Sequence, residues 1–388
     1  MDDLFIDERK LLKLLEEMIR IDSVNPSLVK GGKGESKIAH YIGNLLEEIG
    51  LEVKFQEIRP DRVNVIGMLR GNGNGKSLML NGHTDTVSTD KMDIEPLTPK
   101  YDEGKVYGRG SLDMKSGLSA MIMAADAIVK SGLPLKGDVI LAFVADEEYA
   151  SIGTEELIKE YSADAAIVCE PTSLEICIAH KGFAWTKVEV FGKAAHGSRP
   201  DEGIDAIVNA GKILFEVDEL ACTIFPQKKH PLLGSPSIHA SLISGGTELS
   251  IYPDCCKIEL ERRTIPGENY GTVVDEVKDL IDKISRKDEK FKANFEVFFH
   301  RPPYEIPKNE LIVRSLEKAY ESVLKKEPKH KGLSFWTDSA ILKEAGIPAV
   351  IFGPSGEGLH ASVEYVDFDS VIETARVLAR VIVDFCNS

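Results

Sequence analysis

The sequence has no apolar run of the ~18 residues that a membrane-spanning helix needs. Its first ten residues, MDDLFIDERK, are acidic where a secretory signal would start basic and turn apolar. The expected location is therefore the cytoplasm, with no membrane partner. Positive charge is also short: 47 Lys and Arg stand against 63 Asp and Glu, a formal net charge of −16. That balance argues against a protein that tracks a nucleic-acid backbone. No long block of one sign occurs, so the charge reads as a solvated surface. There are six cysteines and no C-x-x-C pair among them. Cys169, Cys177, Cys222, Cys255, Cys256 and Cys386 read as reduced core residues of a large cytosolic chain, without a role in chemistry. A phosphate-binding loop is missing too. GNGNGKS resembles one, but Arg70 stands where its first glycine belongs, and the stretch joins two strands, not a strand and a helix. It reads as a flexible hairpin turn.

At 388 residues the chain is long for one domain, and 43% hydrophobic residues supply ample core. Residues 8–20, ERKLLKLLEEMIR, carry apolar positions at helical spacing behind an acidic start. LSAMIMAADAIVKSG reads as a helix with Gly132 past its end. GDVILAFVAD and DAAIVCE are continuous apolar runs, as in strands buried on both faces. Helices alternating with such strands predict an α/β layered domain. Near residue 180 the pattern changes. FAWTKVEVFG and CCKIELERRTI alternate, as half-exposed antiparallel strands do. With the helical segments at 203–220 and 270–286 and the strand FKANFEVFFH after them, they give roughly β-α-β-β-α-β, a small two-layer unit. The α/β pattern then resumes. The expected architecture is a discontinuous α/β catalytic domain, 1–180 and 299–388, with an inserted two-layer α+β domain, ferredoxin-like, at 181–298.

Ligands of open α/β sheets gather at the carboxyl ends of the strands. Past SLML come His83 and Asp85. Asp113 stands just before a helix. Past VILAFVA come Asp146, Glu147 and Glu148; past AAIVC comes Glu170; past AVIFGPSGEGL comes His360. Each has a plainer role when taken singly: Asp113 as a helix cap, Glu147 and Glu148 as an exposed acidic loop, Glu170 as a strand end. Taken together, one sheet edge so crowded with carboxylates is unfavourable without cations. Imidazoles with carboxylates suit Zn²⁺, and also Co²⁺ or Mn²⁺. Two such ions ~3.5–4 Å apart need one shared carboxylate and about two private ligands each. Asp113 can be shared, with His83, Glu148, Glu170 and His360 as private ligands. Glu147 is left over as a general base for the attacking water.

NGHTDTV, GRGSLDMKSG, ADEE, CEPT and LHASVEYV resemble, in order and approximate spacing, the motifs of a dinuclear metallohydrolase family. The family includes acetylornithine deacetylase, succinyl-diaminopimelate desuccinylase, aminoacylase and glutamate carboxypeptidase. The resemblance covers nearly the whole chain. It implies His83 and Glu170 on one ion, Glu148 and His360 on the other, and Asp113 between them, joined to Met114 by a cis peptide. It implies Asp85 as the partner that orients His83, and Glu147 as the base. It implies a homodimer built on the inserted domains, in which His196 reaches the partner's site and helps hold the developing oxyanion. Arg263 is implied as a ligand for a substrate carboxylate; the plainer alternative is an ion pair on its own strand, which holds Glu259 and Glu261. Many relatives carry Asn where this chain has Ser250, a further candidate substrate contact. The Gly-rich stretch 353–358, including Gly353 and Ser355, is either a wrap of backbone N–H groups around substrate or a plain loop. The ligand at position 170 tends to be Glu in deacylases of this family and Asp in several carboxypeptidases and dipeptidases. The expected activity is removal of an N-acyl group from an amino acid, with dipeptidase or carboxypeptidase as the alternative. A non-catalytic relative would lack a ligand or the base, and none is missing here.

Overall fold

The computed structural model of the chain describes residues 4–388. Two compact units emerge. One comprises the residues up to Ile178 with Ile306–Lys331 and Thr337–Ser388; the other comprises Ala179–Glu305 and Gly332–Trp336.

The first unit is built on a sheet whose middle is parallel. Val139–Val144, Leu78–His83, Ala165–Val168 and Ala349–Ile351 lie side by side in that order. Every residue of these four strands is buried, as the unbroken apolar sequences of three of them and the LML start of Leu78–His83 predict. Antiparallel strands extend it on both sides: Arg62–Leu69 and Glu52–Arg59 on one, Ile176–His180 on the other. The helix Glu8–Arg20 spans the residues its periodicity marks. Asp7 caps it, the carboxylate accepting from the N–H groups of Arg9 and Lys10, and Leu11, Leu14, Leu15, Met18 and Ile19 are buried. Lys115–Ser131 is buried over most of its length and ends at Gly132, whose φ of 65° is the left-handed conformation that stops a helix. Phe368–Cys386 closes the chain and packs on it.

The stretch 71–76 is not a hairpin turn. Arg62–Leu69 and Leu78–His83 are not neighbours, because Val139–Val144 lies between them. The connection instead crosses the incoming chain at Lys136–Gly137. A Cβ on Gly75 would stand 2.0 Å from the carbonyl oxygen of Cys386 and 2.6 Å from the nitrogen of Gly137. Glycine is there for a close backbone crossing.

The same unit contains a second, small antiparallel sheet. In it Gly356–Glu357 pairs with Tyr365–Asp367, which pairs with Lys105–Tyr107 and so with Lys100–Asp102.

The second unit is a four-stranded antiparallel sheet in the order Ser237–Gly245, Cys255–Thr264, Gly182–Phe191, Lys292–Arg301. With the helices Ala206–Glu219 and Tyr270–Ser285 it has the β-α-β-β-α-β order expected of the insert. One face of each central strand is buried under the helices, with Val188, Val190, Ile258 and Leu260 meeting Ile213, Val217, Val277 and Ile281. Among the described residues no helix is long and apolar enough to cross a membrane. All six cysteines are free thiols; Cys222 is exposed, unlike the core position expected of it.

Candidate metal centre

The parallel strands deliver their following residues to one edge. His83 ends Leu78–His83, Glu147 and Glu148 follow Val139–Val144, and Glu170 follows Ala165–Val168. Asp113 comes from the loop before Lys115–Ser131, with the Asp113–Met114 peptide cis. His360 comes from the connection between Gly356–Glu357 and Tyr365–Asp367.

The Asp113 carboxylate is divided between two groups. Its Oδ1 lies 3.1 Å from His83 Nε2. Its Oδ2 lies 3.4 Å from His360 Nε2. Glu170 Oε1 is 3.6 Å from His83 Nε2, and Glu148 Oε2 is 3.0 Å from His360 Nε2. His83, Asp113 and Glu170 thus form one trio of ligand atoms, and Asp113, Glu148 and His360 a second. Glu147 belongs to neither trio, although its Oε2 comes within 3.9 Å of His83 Nε2.

Electrostatics tests whether this set suits cations. Burial pushes the carboxyls of Glu147, Glu148 and Glu170 above their ordinary range, and neighbouring carboxylates push the same way. Burial acts against ionisation of Asp113 as well, but hydrogen bonds from His360 and His83 hold it far below. Asp113 and Glu148 accept hydrogen bonds from His360 and raise that imidazole to about 10. His83 loses by burial, yet the carboxylates of Glu170 and Asp113 carry it well above the ordinary value. Among the described residues the cations facing these carboxylates are His83 and His360 alone. The raised imidazoles and raised carboxyls mark a cluster short of positive charge, and its oxygen and imidazole donors fit Zn²⁺, Co²⁺ or Mn²⁺.

Asp85 meets the His83 ring through its backbone and its side chain. The His83 Nδ1 is 3.0 Å from the backbone carbonyl of Asp85 and 3.6 Å from its carboxylate. The carboxylate accepts from Asn25 Nδ2 at 2.7 Å and from the backbone N–H groups of Glu147 and Glu148 at 3.2 Å each. Asp85 therefore holds the ring through its carbonyl and the Glu147–Glu148 turn through its side chain. Residues that sequence reasoning missed stand behind this turn. Arg62 pairs with Glu35 and Asp146, all three buried. Asp338 is buried, accepts from Thr154 Oγ1 at 2.6 Å, and its charge is among those raising Glu147 and Glu170. Of these, Asp146 lies in the motif ADEE; Arg62, Glu35 and Asp338 lie in none.

The other expected site residues have their own settings. In the second unit, His196 is exposed, and its Nδ1 lies 2.8 Å from Ser198 Oγ and accepts from the Ser198 N–H at 3.2 Å. With Nδ1 accepting, a neutral ring carries its proton on Nε2. Ser250 adjoins it, its carbonyl accepting from the Gly197 N–H at 2.7 Å. Arg263 forms the ion pair within its own strand, 2.7 Å from Glu261, and its guanidinium stacks over Phe183. In the first unit, the Gly353 N–H donates to Thr172 Oγ1 and the Ser355 N–H to Ser370 Oγ. Those two N–H groups are used inside the protein and are not offered to a substrate.

Residues 79–384 match Peptidase family M20/M25/M40. The chain belongs to this family. It is a metal-dependent amide hydrolase. It is 29% identical to an acetylornithine deacetylase of Myxococcus xanthus over 351 residues, 88% of this chain and 90% of that one. It is 26% identical to an N-formyl-4-amino-5-aminomethyl-2-methylpyrimidine deformylase of Bacillus subtilis, covering 98% and 96%. The fold is similar to aminopeptidase PepT of Bacillus cereus, with a TM-score of 0.81 at 20% identity over 99% of this chain and 100% of that one.

Proposed function

We propose that the protein removes an N-acyl group from an amino acid, using two divalent ions, Zn²⁺ foremost. His83, Glu170 and Asp113 would hold one ion, and Asp113, Glu148 and His360 the other. The observation that carries this reading is the divided Asp113 carboxylate, one oxygen toward each histidine. The ions would polarise the scissile carbonyl and acidify water. Glu147, half-buried and outside both trios, is the base that takes the proton of the attacking water and passes it to the leaving amine. Its raised affinity for protons suits both halves of that task. Curated relatives that span the chain are named deacetylase and deformylase, and position 170 is Glu, which supports deacylation over dipeptide cleavage. The test is a hydrolysis screen of N-acetyl-, N-formyl- and N-succinyl-amino acids beside dipeptides, with Zn²⁺, Co²⁺ or Mn²⁺ added. Turnover confined to dipeptides would exclude the deacylase reading.

A homodimer completes the proposal. The edge strand Ser237–Gly245 exposes Leu242 and Ile243, and the helix Ala206–Glu219 exposes Val208 and Phe215. An apolar edge strand beside an apolar helix face suits pairing with a second copy. Across it, His196 lends its Nε2–H to the oxyanion in the partner's site, and Arg263 and Ser250 contact substrate. Mixing Glu147→Ala with His196→Ala protein tests the shared site. Each alone is inactive, and random exchange restores roughly a quarter of the sites. No recovery after verified exchange would exclude it.

A further inference from the structure

The carboxylate of Glu364 is fully buried and belongs to neither trio. Its Oε1 accepts from the backbone N–H of Leu112 at 2.9 Å and of Asp113 itself at 3.1 Å. Its Oε2 accepts from the N–H of Gly110 at 3.1 Å and from Arg109 Nη1 at 2.7 Å. Arg109, also buried, donates onward through Nη2 to the carbonyl of Ala361 at 3.1 Å and through Nε to that of Ser88 at 3.0 Å. One carboxylate therefore ties the loop of Asp113 to the loop of His360.

His360 needs such a frame. Its side chain is 53% exposed, so packing does not hold it. Its backbone sits at φ 57°, an uncommon conformation for a histidine. The preceding turn is tight, since a Cβ on Gly358 would stand 1.9 Å from the Val363 carbonyl oxygen. The imidazole position is thus fixed by the backbone from Gly358 to Glu364. Glu364 is the point where that backbone meets the one carrying Asp113.

We infer that Glu364 is a positioning residue that holds Asp113 and His360 in one frame and so builds the Asp113–Glu148–His360 cation site. This rests on the two-cation reading of the site. A purely structural role would keep the small sheet folded and leave cation affinity alone.

Glu364→Gln separates the two. An amide has one accepting oxygen, so whichever way it faces, its NH₂ meets two donors: the Leu112 and Asp113 N–H groups, or Gly110 N–H and Arg109. The probe is Co²⁺ titrated calorimetrically into metal-free protein, beside thermal melting of the same samples. His360→Ala, which removes a ligand, marks the binding step that belongs to this site. The expected result is a loss of about 10–100-fold in affinity at that step in Glu364→Gln. Glu364→Asp keeps the charge but withdraws it by one methylene; it is titrated in parallel, is expected to lose affinity too, and carries the test should the glutamine variant not fold. Wild-type Co²⁺ affinity at that step, with or without a lower melting temperature, overturns the inference. A wild-type protein that takes up fewer than two Co²⁺ overturns the two-cation reading itself, whereas two wild-type steps with an unaltered variant overturn only the role of Glu364.

Discussion

Replacing Arg62 by methionine should unbalance the turn that carries Glu147 and Glu148, and should do so in a pH-dependent way. Arg62 donates to Glu35 through Nε at 2.7 Å and Nη2 at 2.9 Å, to Asp146, and to Ser27 Oγ at 3.0 Å. The side chains of Arg62, Glu35 and Asp146 are 5%, 0% and 1% exposed. Asp146, one residue before Glu147, stands at φ 69° and donates its N–H to Glu35. Methionine keeps the approximate length and removes the charge, leaving two buried carboxylates without their guanidinium. Removal of one partner from a buried pair costs roughly 3–5 kcal/mol. The sign with pH follows from Glu35. Burial, with the charge of Asp85 adding to it, raises its carboxyl from 4.5 to about 7, although Arg62 pulls the other way. A raised acid contributes stability that is fully present below the unfolded value, near 4.5, and is lost as pH rises through the folded value. Without Arg62 the folded value climbs further, so the variant is penalised more at pH 8 than at pH 5, where both the wild-type and variant carboxyls are largely protonated in the fold. Urea unfolding of metal-free protein at the two pH values measures this. A loss under about 1 kcal/mol at pH 8, or an equal loss at both, would refute the reasoning.

Other outcomes follow from the same geometry. Glu147→Ala should retain both cations and lose turnover by ~10²–10⁴-fold, because a positioned base acts on a proton and not on the ion; Glu148→Ala should lose one cation, and metal analysis with steady-state rates would expose a reversal. Cation loading should release at least about two protons, since His83 and His360 are held protonated in the free site and must bind as neutral imidazoles. Affinity should therefore weaken as pH falls, and calorimetry in buffers of different ionisation enthalpy checks both. Gly75→Ala should cost on the order of 1–3 kcal/mol by forcing a methyl group into the backbone at Cys386 and Gly137, read as a lower unfolding midpoint.

The ligands were legible in the sequence because the parallel sheet does the sorting. VILAFV and AAIV are apolar throughout and LML opens the third strand, so these runs are buried on both faces, and the polar residues at or past their ends share one edge. The insert was legible from alternation in the strands at 182–191 and 255–264. In Ser237–Gly245 the alternation runs only through SIHASL, and as an edge strand it buries one residue, Ile238. The stretch 71–76 was misread as a hairpin because nothing local reports that Val139–Val144 wedges between the strands it joins. The supporting network was illegible for a related reason. Glu35 lies 27 residues from Arg62, Asp146 lies 84 from it, and Glu364 lies 255 from Arg109. None of these pairs has a spacing that local periodicity can mark.

That hidden layer explains how so acidic a site is assembled before any cation arrives. A guanidinium cannot give up its proton, so an arginine among the ligands would compete permanently with a divalent ion. The two buried arginines near the site stand elsewhere. Arg62 neutralises Glu35 and Asp146 behind the Glu147–Glu148 turn, and Arg109 neutralises Glu364 behind Asp113 and His360. Each fixes backbone that carries ligands while its charge is spent on carboxylates outside the two trios. The cations left facing the ligands are imidazoles, which can lose a proton and become ligands themselves. The permanent charges thus hold the frame, and the removable ones keep the cation positions until they are filled.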